Sequence, residues 1–282
     1  MSGRSTGPIQ LRSEAGLDAV RTRAVGRSRL LRRSRPVADP LEPLTRLPGV
    51  AADADAVREA LTRVNNHRAN RRGWPATSAE ASVRAARASS SLDGGSAELP
   101  ADGRVTDPVL AGSLRVAEDL GGLMATWRSA PRQALARLHM LAAADLPGVT
   151  DDDLGRPRLD PGVGERLDGL AGLVTGGTSV PAPVLVAVVH GELLALAPFP
   201  TAGGVVARAA ARLTAVGTGL DPRGLAVPEV GHYRAEAEYR DAAAAFATGE
   251  PEGLATWFAH CARAWQVGAR EGLGIAEAAE AS

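Results

Sequence analysis

The chain has 282 residues and a mass of 29.0 kDa, with 32 basic and 32 acidic side chains, and every basic residue is Arg. The single Cys261 excludes a disulfide framework and a Cys-cluster zinc site, and no apolar run reaches the ~18–20 residues of a membrane span. Zero net charge argues against a dedicated nucleic-acid binder, and aromatics at 3% leave a core to be assembled from Ala, Leu and Val.

Residues 1–45 read as a flexible basic arm. Arg21, Arg23, Arg27, Arg29, Arg32, Arg33 and Arg35 fall in a short span with few acids and no lasting apolar period. The arm is a candidate contact for nucleic acid or for an acidic partner, and the rest of the chain is acidic enough to attract it. No apolar segment follows it, so a secretory signal is not expected, and the Arg- and Ala-rich usage resembles that of a GC-rich bacterial genome, which points to a cytoplasmic protein.

Helical periodicity begins near residue 51. Val57, Leu61 and Val64 share one face of a helix over residues 53–66. Trp74-Pro75 punctuates, Thr77 or Ser78 caps a second helix through Leu92, and Gly94-Gly95 ends it. The sequence Thr106-Asp107-Pro108 sets a cap followed by Pro at the first helical position, opening a helix over 109–128, and Pro131 opens the next. Residues 146–180 are loop-rich around a short helix at 165–174. Residues 182–196 are apolar nearly all round, the mark of a buried central helix; the Val-rich start also suits a buried strand, but length and the Ala-Leu finish favour helix. Helices are expected over 205–216, 232–248 and 251–276. The fold class is all-α. The organisation divides into the arm, N-terminal helices over 46–100 and a main domain over 101–282.

Between the apolar helix and the helix at 205–216 lies Ala197-Pro198-Phe199-Pro200-Thr201-Ala202-Gly203-Gly204. Two Gly residues leading into a helix N-terminus suit either a phosphate nest, with exposed N–H groups and the positive end of the helix dipole, or a tight helix–helix corner. Arg208 lies one turn in and is placed to reach an anion.

The stretch resembles the signature of the Fic (Fido) family, His-Pro-Phe-x-(Asp/Glu)-Gly-Asn-Gly-Arg-x-x-Arg. Pro198, Phe199, Gly204 and Arg208 match it, while Ala197, Thr201, Gly203 and Val205 stand at its His, acidic, Asn and first Arg positions. His190, His139 and Leu146-Pro147-Gly148 resemble further recurrent elements of the family. A second stretch, Ser89-Ser90-Ser91-Leu92-Asp93-Gly94, resembles the inhibitory helix that many Fic proteins carry. The resemblance implies a helical Fic-like domain related to enzymes that transfer AMP to a protein hydroxyl, and an approach of Asp93 to Arg208.

The same resemblance implies lost chemistry. A methyl group at Ala197 accepts no proton, and general-base assistance is worth about 10²–10⁴ in rate. Thr201 offers a hard cation one neutral oxygen, and Val205 leaves the phosphates without a guanidinium. The expected protein is therefore a pseudoenzyme that binds a protein or a small anion, with no catalytic residue, no metal site and no cofactor. The degenerate anion site comprises Pro198, Phe199, Thr201, Gly203, Gly204 and Arg208, and the inhibitory-like motif comprises Ser89, Ser90, Asp93 and Gly94. The alternatives are a divergent transferase using ATP, Mg²⁺ and another base, and a nucleic-acid-associated regulator working through Arg21–Arg35. His190 reads as a core histidine, His232 as a cap or surface residue, Glu192 as a remote metal candidate, and Trp257, Phe258, Trp265 and Cys261 as core.

Overall fold

The computed structural model describes residues 39–281. A 3-10 turn at Glu42–Arg46 leads into α1 (Val50–Asn66), the short α2 (Arg68–Arg72) and α3 (Trp74–Leu92). There follow α4 (Pro108–Ser129), α5 (Pro131–Ala143) and α6 (Val163–Gly172), the last running into a π-type turn at Leu173–Gly177. The chain then forms α7 (Ala182–Leu196), α8 (Gly203–Gly217), α9 (Pro228–Arg234), α10 (Glu236–Ala247) and α11 (Pro251–Ala281). The fold is all-α, with no strand among the described residues.

Local chemistry sets many of the boundaries. Asp107 accepts a hydrogen bond from the Leu110 N–H and Pro108 fills the first turn of α4, as the sequence requires. α3 ends in a Schellman turn: Gly94 takes the left-handed conformation (φ 83°), Gly95 N–H donates to Ser90 O and Gly94 N–H to Ser91 O.

Three local expectations need correction. The basic arm at 1–45 lies outside the described residues as far as residue 38, including Arg21–Arg35, but its last residues are anchored. Leu41 is buried, and Asp39 accepts hydrogen bonds from the Ser179 N–H and the Thr178 and Ser179 hydroxyls. α3 starts at Trp74, with Pro75 in its first turn, so Thr77 is no cap; its hydroxyl donates to Asn70 Oδ1 at 2.7 Å. The helix expected over 232–248 is two, broken at Ala235 (φ −126°, ψ 47°). α9 is seated against α11 where Gly231 meets the Ala264 backbone, an approach any Cβ would block.

α7 is the centre, with ten of its fifteen residues buried, and it packs on α1, α6, α8, α10 and α11. Leu, Val and Ala dominate the core, and Trp127, Trp257 and Trp265 are buried in it. The Trp257 indole N–H donates to Ala187 O at 2.8 Å, which satisfies its polar edge inside the core. Cys261 is buried, and burial pushes its thiol pKa well above the ordinary value. No helix among the described residues is long and apolar enough to cross a membrane.

Candidate functional site

The turn between α7 and α8 is held by backbone in an uncommon conformation. Ala197 (φ 42°) and Ala202 (φ 53°) are the non-Gly residues with positive φ among those described, and they bracket the turn. For an L-residue this region costs about 1–2 kcal/mol. Pro198 and Phe199 are buried, and Phe199 stacks on His139 with ring centroids 4.4 Å apart and planes within 6°. Gly155 N–H donates to His139 Nδ1 (3.0 Å), so the neutral ring carries its proton on Nε2 and donates to Thr201 Oγ1 at 3.2 Å. Burial lowers the His139 pKa, with Asp153 acting weakly the other way. Arg158 completes the support: its side chain donates to Leu196 O and Ala197 O, and its N–H to Pro198 O. It caps the C-terminus of α7 from a loop whose sequence gave no sign of that role.

The start of α8 holds an anion supplied by the chain itself. Asp93 stands at the C-terminal end of α3, where a carboxylate is unfavourable to the helix dipole, but its position faces the positive end of α8. Asp93 Oδ2 accepts from the Val205 N–H at 3.1 Å, and Oδ1 accepts from Arg208 Nη2 at 2.8 Å. Gly204 leaves room for this carboxylate; a Cβ there would collide with it and with the Arg208 guanidinium. Arg208 is buried and also donates to Ser89 Oγ and Ser89 O, both at 2.9 Å. Desolvation pulls its pKa down, but Asp93 and Tyr239 outweigh that, and the net shift is upward. Ser90 is buried beside Ser89, and its hydroxyl has no partner among the described residues.

Beneath this pair lies a polar layer. Arg208 Nη1 approaches Tyr239 Oη at 3.4 Å, and that oxygen lies 2.8 Å from His190 Nε2. A guanidinium only donates, so the phenol proton is directed to His190 Nε2, whose lone pair is engaged. His190 is thus a satisfied core histidine. His232 is not a cap or surface residue: it is 2% exposed, and its Nδ1 lies 3.0 Å from His260 Nε2. Its type and its place beside Gly231 gave no hint of burial, because the turn at Ala235 that carries it inward has no sequence signature. Burial lowers the His190 and His232 pKa values well below the ordinary range, lowers that of His260 to about 4 and pushes Tyr239 up to about 12.

The donor set does not suit a hard cation. The Thr201 hydroxyl is engaged by His139, Asp93 by Val205 and Arg208, and Glu192 by a two-nitrogen contact from Arg166 (2.7 and 2.9 Å). Asp153 folds back on Thr150. Among the described residues no group of three or more His, Cys, Asp or Glu is placed to hold a metal ion. Phe199 and Val205 face the core. A cavity of about 490 Å³ opens over Asp93, Gly204 and Arg208, walled by Leu194, Tyr239 and Arg240.

No protein-family model matches the chain, and no curated protein matches it in sequence. Solved structures do match in shape. A Fic family protein from Desulfovibrio desulfuricans G20 superposes with a TM-score of 0.64 at 19% identity, over 80% of this chain and 74% of that one. Fic-1 (residues 134–508) from C. elegans superposes with a TM-score of 0.55 at 14% identity, over 80% of this chain and 70% of that one. The chain has a Fic-like fold.

Proposed function

We propose that this protein is a cytoplasmic Fic-like pseudoenzyme, a binding module for a protein or a small anion that has lost AMP-transfer chemistry. The observation that carries the reading is the state of the α8 N-terminus. The Val205 N–H and Arg208 both close on Asp93, so a phosphate must displace an internal carboxylate to reach either. Among the described residues no side chain at this turn is free to act as base. The position that would carry one is Ala197, His190 gives its acceptor nitrogen to Tyr239, and His139 directs an N–H at Thr201. In this reading the stretch from Ser89 through Gly94 is retained for architecture, and Asp93 keeps the pairing of an inhibitory residue with no reaction left to inhibit. The cavity beside Arg208 and Arg240 is where a small anion would enter.

The test is incubation of the full chain with α-labelled ATP and Mg²⁺, alone and with candidate protein acceptors, alongside a thermal shift measurement. The expected result is no label on any protein. Stabilisation by nucleotide without label fits an anion-binding module. Label transfer that survives Arg208→Leu would also contradict the reading, as would any transfer dependent on Mg²⁺.

A further inference from the structure

A second cavity is far from this chemistry in character. It is a cleft of about 680 Å³ between α3, α4 and the segment joining α8 to α9, within the size range of sites for small organic ligands. Its walls are mostly apolar, formed by Val83, Leu114, Leu120, Met124, Leu213 and Val216. At the mouth stands Trp74, 40% exposed, an unusual position in a chain whose other three Trp residues are buried.

One end of the cleft is polar. Arg212 lies there, but its guanidinium is neutralised by Glu229 at 3.3 Å and further engaged by Ala226 O and Gly224 O. Arg223 differs. Its Nη1 donates to the main-chain carbonyls of Asn65 and Asn70 at 3.1 and 3.0 Å, which fix the head, and no acidic side chain pairs with it among the described residues. Ser78 and Ser82 put two hydroxyls on the α3 wall, one helical turn apart, and neither has a hydrogen-bond partner among the described residues. Gly224 brings this end together, lying close to both Arg212 and Ser78. Glu118 on the α4 wall is exposed and has no hydrogen bond or ion pair among the described residues, so a cation drawn to it would have to order both itself and a solvated side chain. Arg223 is already ordered, and a guanidinium held by carbonyls keeps its other nitrogens for a planar anion.

We propose that this cleft binds a small amphipathic carboxylate, its head at Arg223 and Ser78 and its hydrocarbon body along α4 and α8. The site is separate from the turn at Ala197–Gly204 and does not depend on the reading of that turn.

The probes are decanoate, decylamine and decanol, which share a chain and differ in head, titrated calorimetrically into the full-length protein. Decanoate should bind saturably at one site and at least about tenfold more tightly than either analogue. Two variants locate it. Gly121 lies on α4 at the cleft with open space where a Cβ would go, so Gly121→Leu fills the cleft without strain. It should weaken decanoate at least about tenfold while the thermal midpoint stays level or rises. Arg223→Leu should reduce decanoate to the affinity of decanol. Preference for decylamine, absence of saturable binding, or decanoate binding unaffected by Gly121→Leu would overturn the proposal. So would a dimer in solution that Gly121→Leu breaks, since the cleft would then belong to a second copy of the chain.

Discussion

The turn from Ala197 to Gly204 and the polar layer under it make an instructive pair. The turn keeps an unusual backbone and hardly any reactive side chains; the layer keeps Arg208, Tyr239 and His190 in one hydrogen-bonded row and His232 paired with His260, their rings in contact inside the core. The difference follows from solvent. A side chain at an exposed position such as Ala197 is lost without structural penalty. A buried polar group is held in place by its partners, because removing one leaves the other desolvated and unpaired.

The sharpest way to break the comparison is to cut into the layer. Arg208→Leu should cost about 2–4 kcal/mol in urea unfolding, less than a wholly buried pair because the Asp93 side chain is 22% exposed. Ala197→His, in the turn, should stay within about 1 kcal/mol of the parent. Similar losses at both sites would erase the distinction.

Acid tests the layer next. His190, His232 and His260 have folded-state pKa values below the ordinary 6.5, so the unfolded chain binds more protons once pH falls past that value. Their contribution is full above pH 6.5 and is lost as pH falls toward about 4, the folded value for His260. His260→Gln should flatten the fall in unfolding free energy between pH 7 and 4.5 by about 1–2 kcal/mol. A curve parallel to that of the parent would show that His260 takes up protons equally in both states.

Asp93→Asn keeps an acceptor for the Val205 N–H but removes the charge opposite Arg208; a loss of about 1 kcal/mol is expected in the same assay. The smallest effect belongs to the turn. Ala202→Gly should be neutral or stabilise by up to about 1 kcal/mol, whereas the same exchange inside a helix costs about that much. A clear destabilisation would mean that the left-handed backbone at Ala202 carries no strain.

Sequence exposed what depends on short-range rules. The all-round apolar run of α7, the Asp107 cap and the Gly94 terminus are decided within a few residues of themselves. The approach of Asp93 to Arg208 was legible only through the resemblance of the two stretches to Fic motifs, since nothing local to either residue sets their distance. The burial of His232 and the reach of Arg158 were not, because each depends on which distant element packs opposite: α11 for the first, the end of α7 for the second. The Arg223 anchor was hidden likewise, since carbonyl acceptors look the same at every residue.

The carboxylate at the start of α8 has a consequence for mass action. Asp93 is tethered beside the Val205 N–H and Arg208, so it competes for them at an effective concentration on the order of millimolar or above. A dissolved anion present at micromolar levels displaces it only through contacts that Asp93 lacks. Occupancy of that helix end is therefore set less by how much anion surrounds the protein than by what else the anion touches.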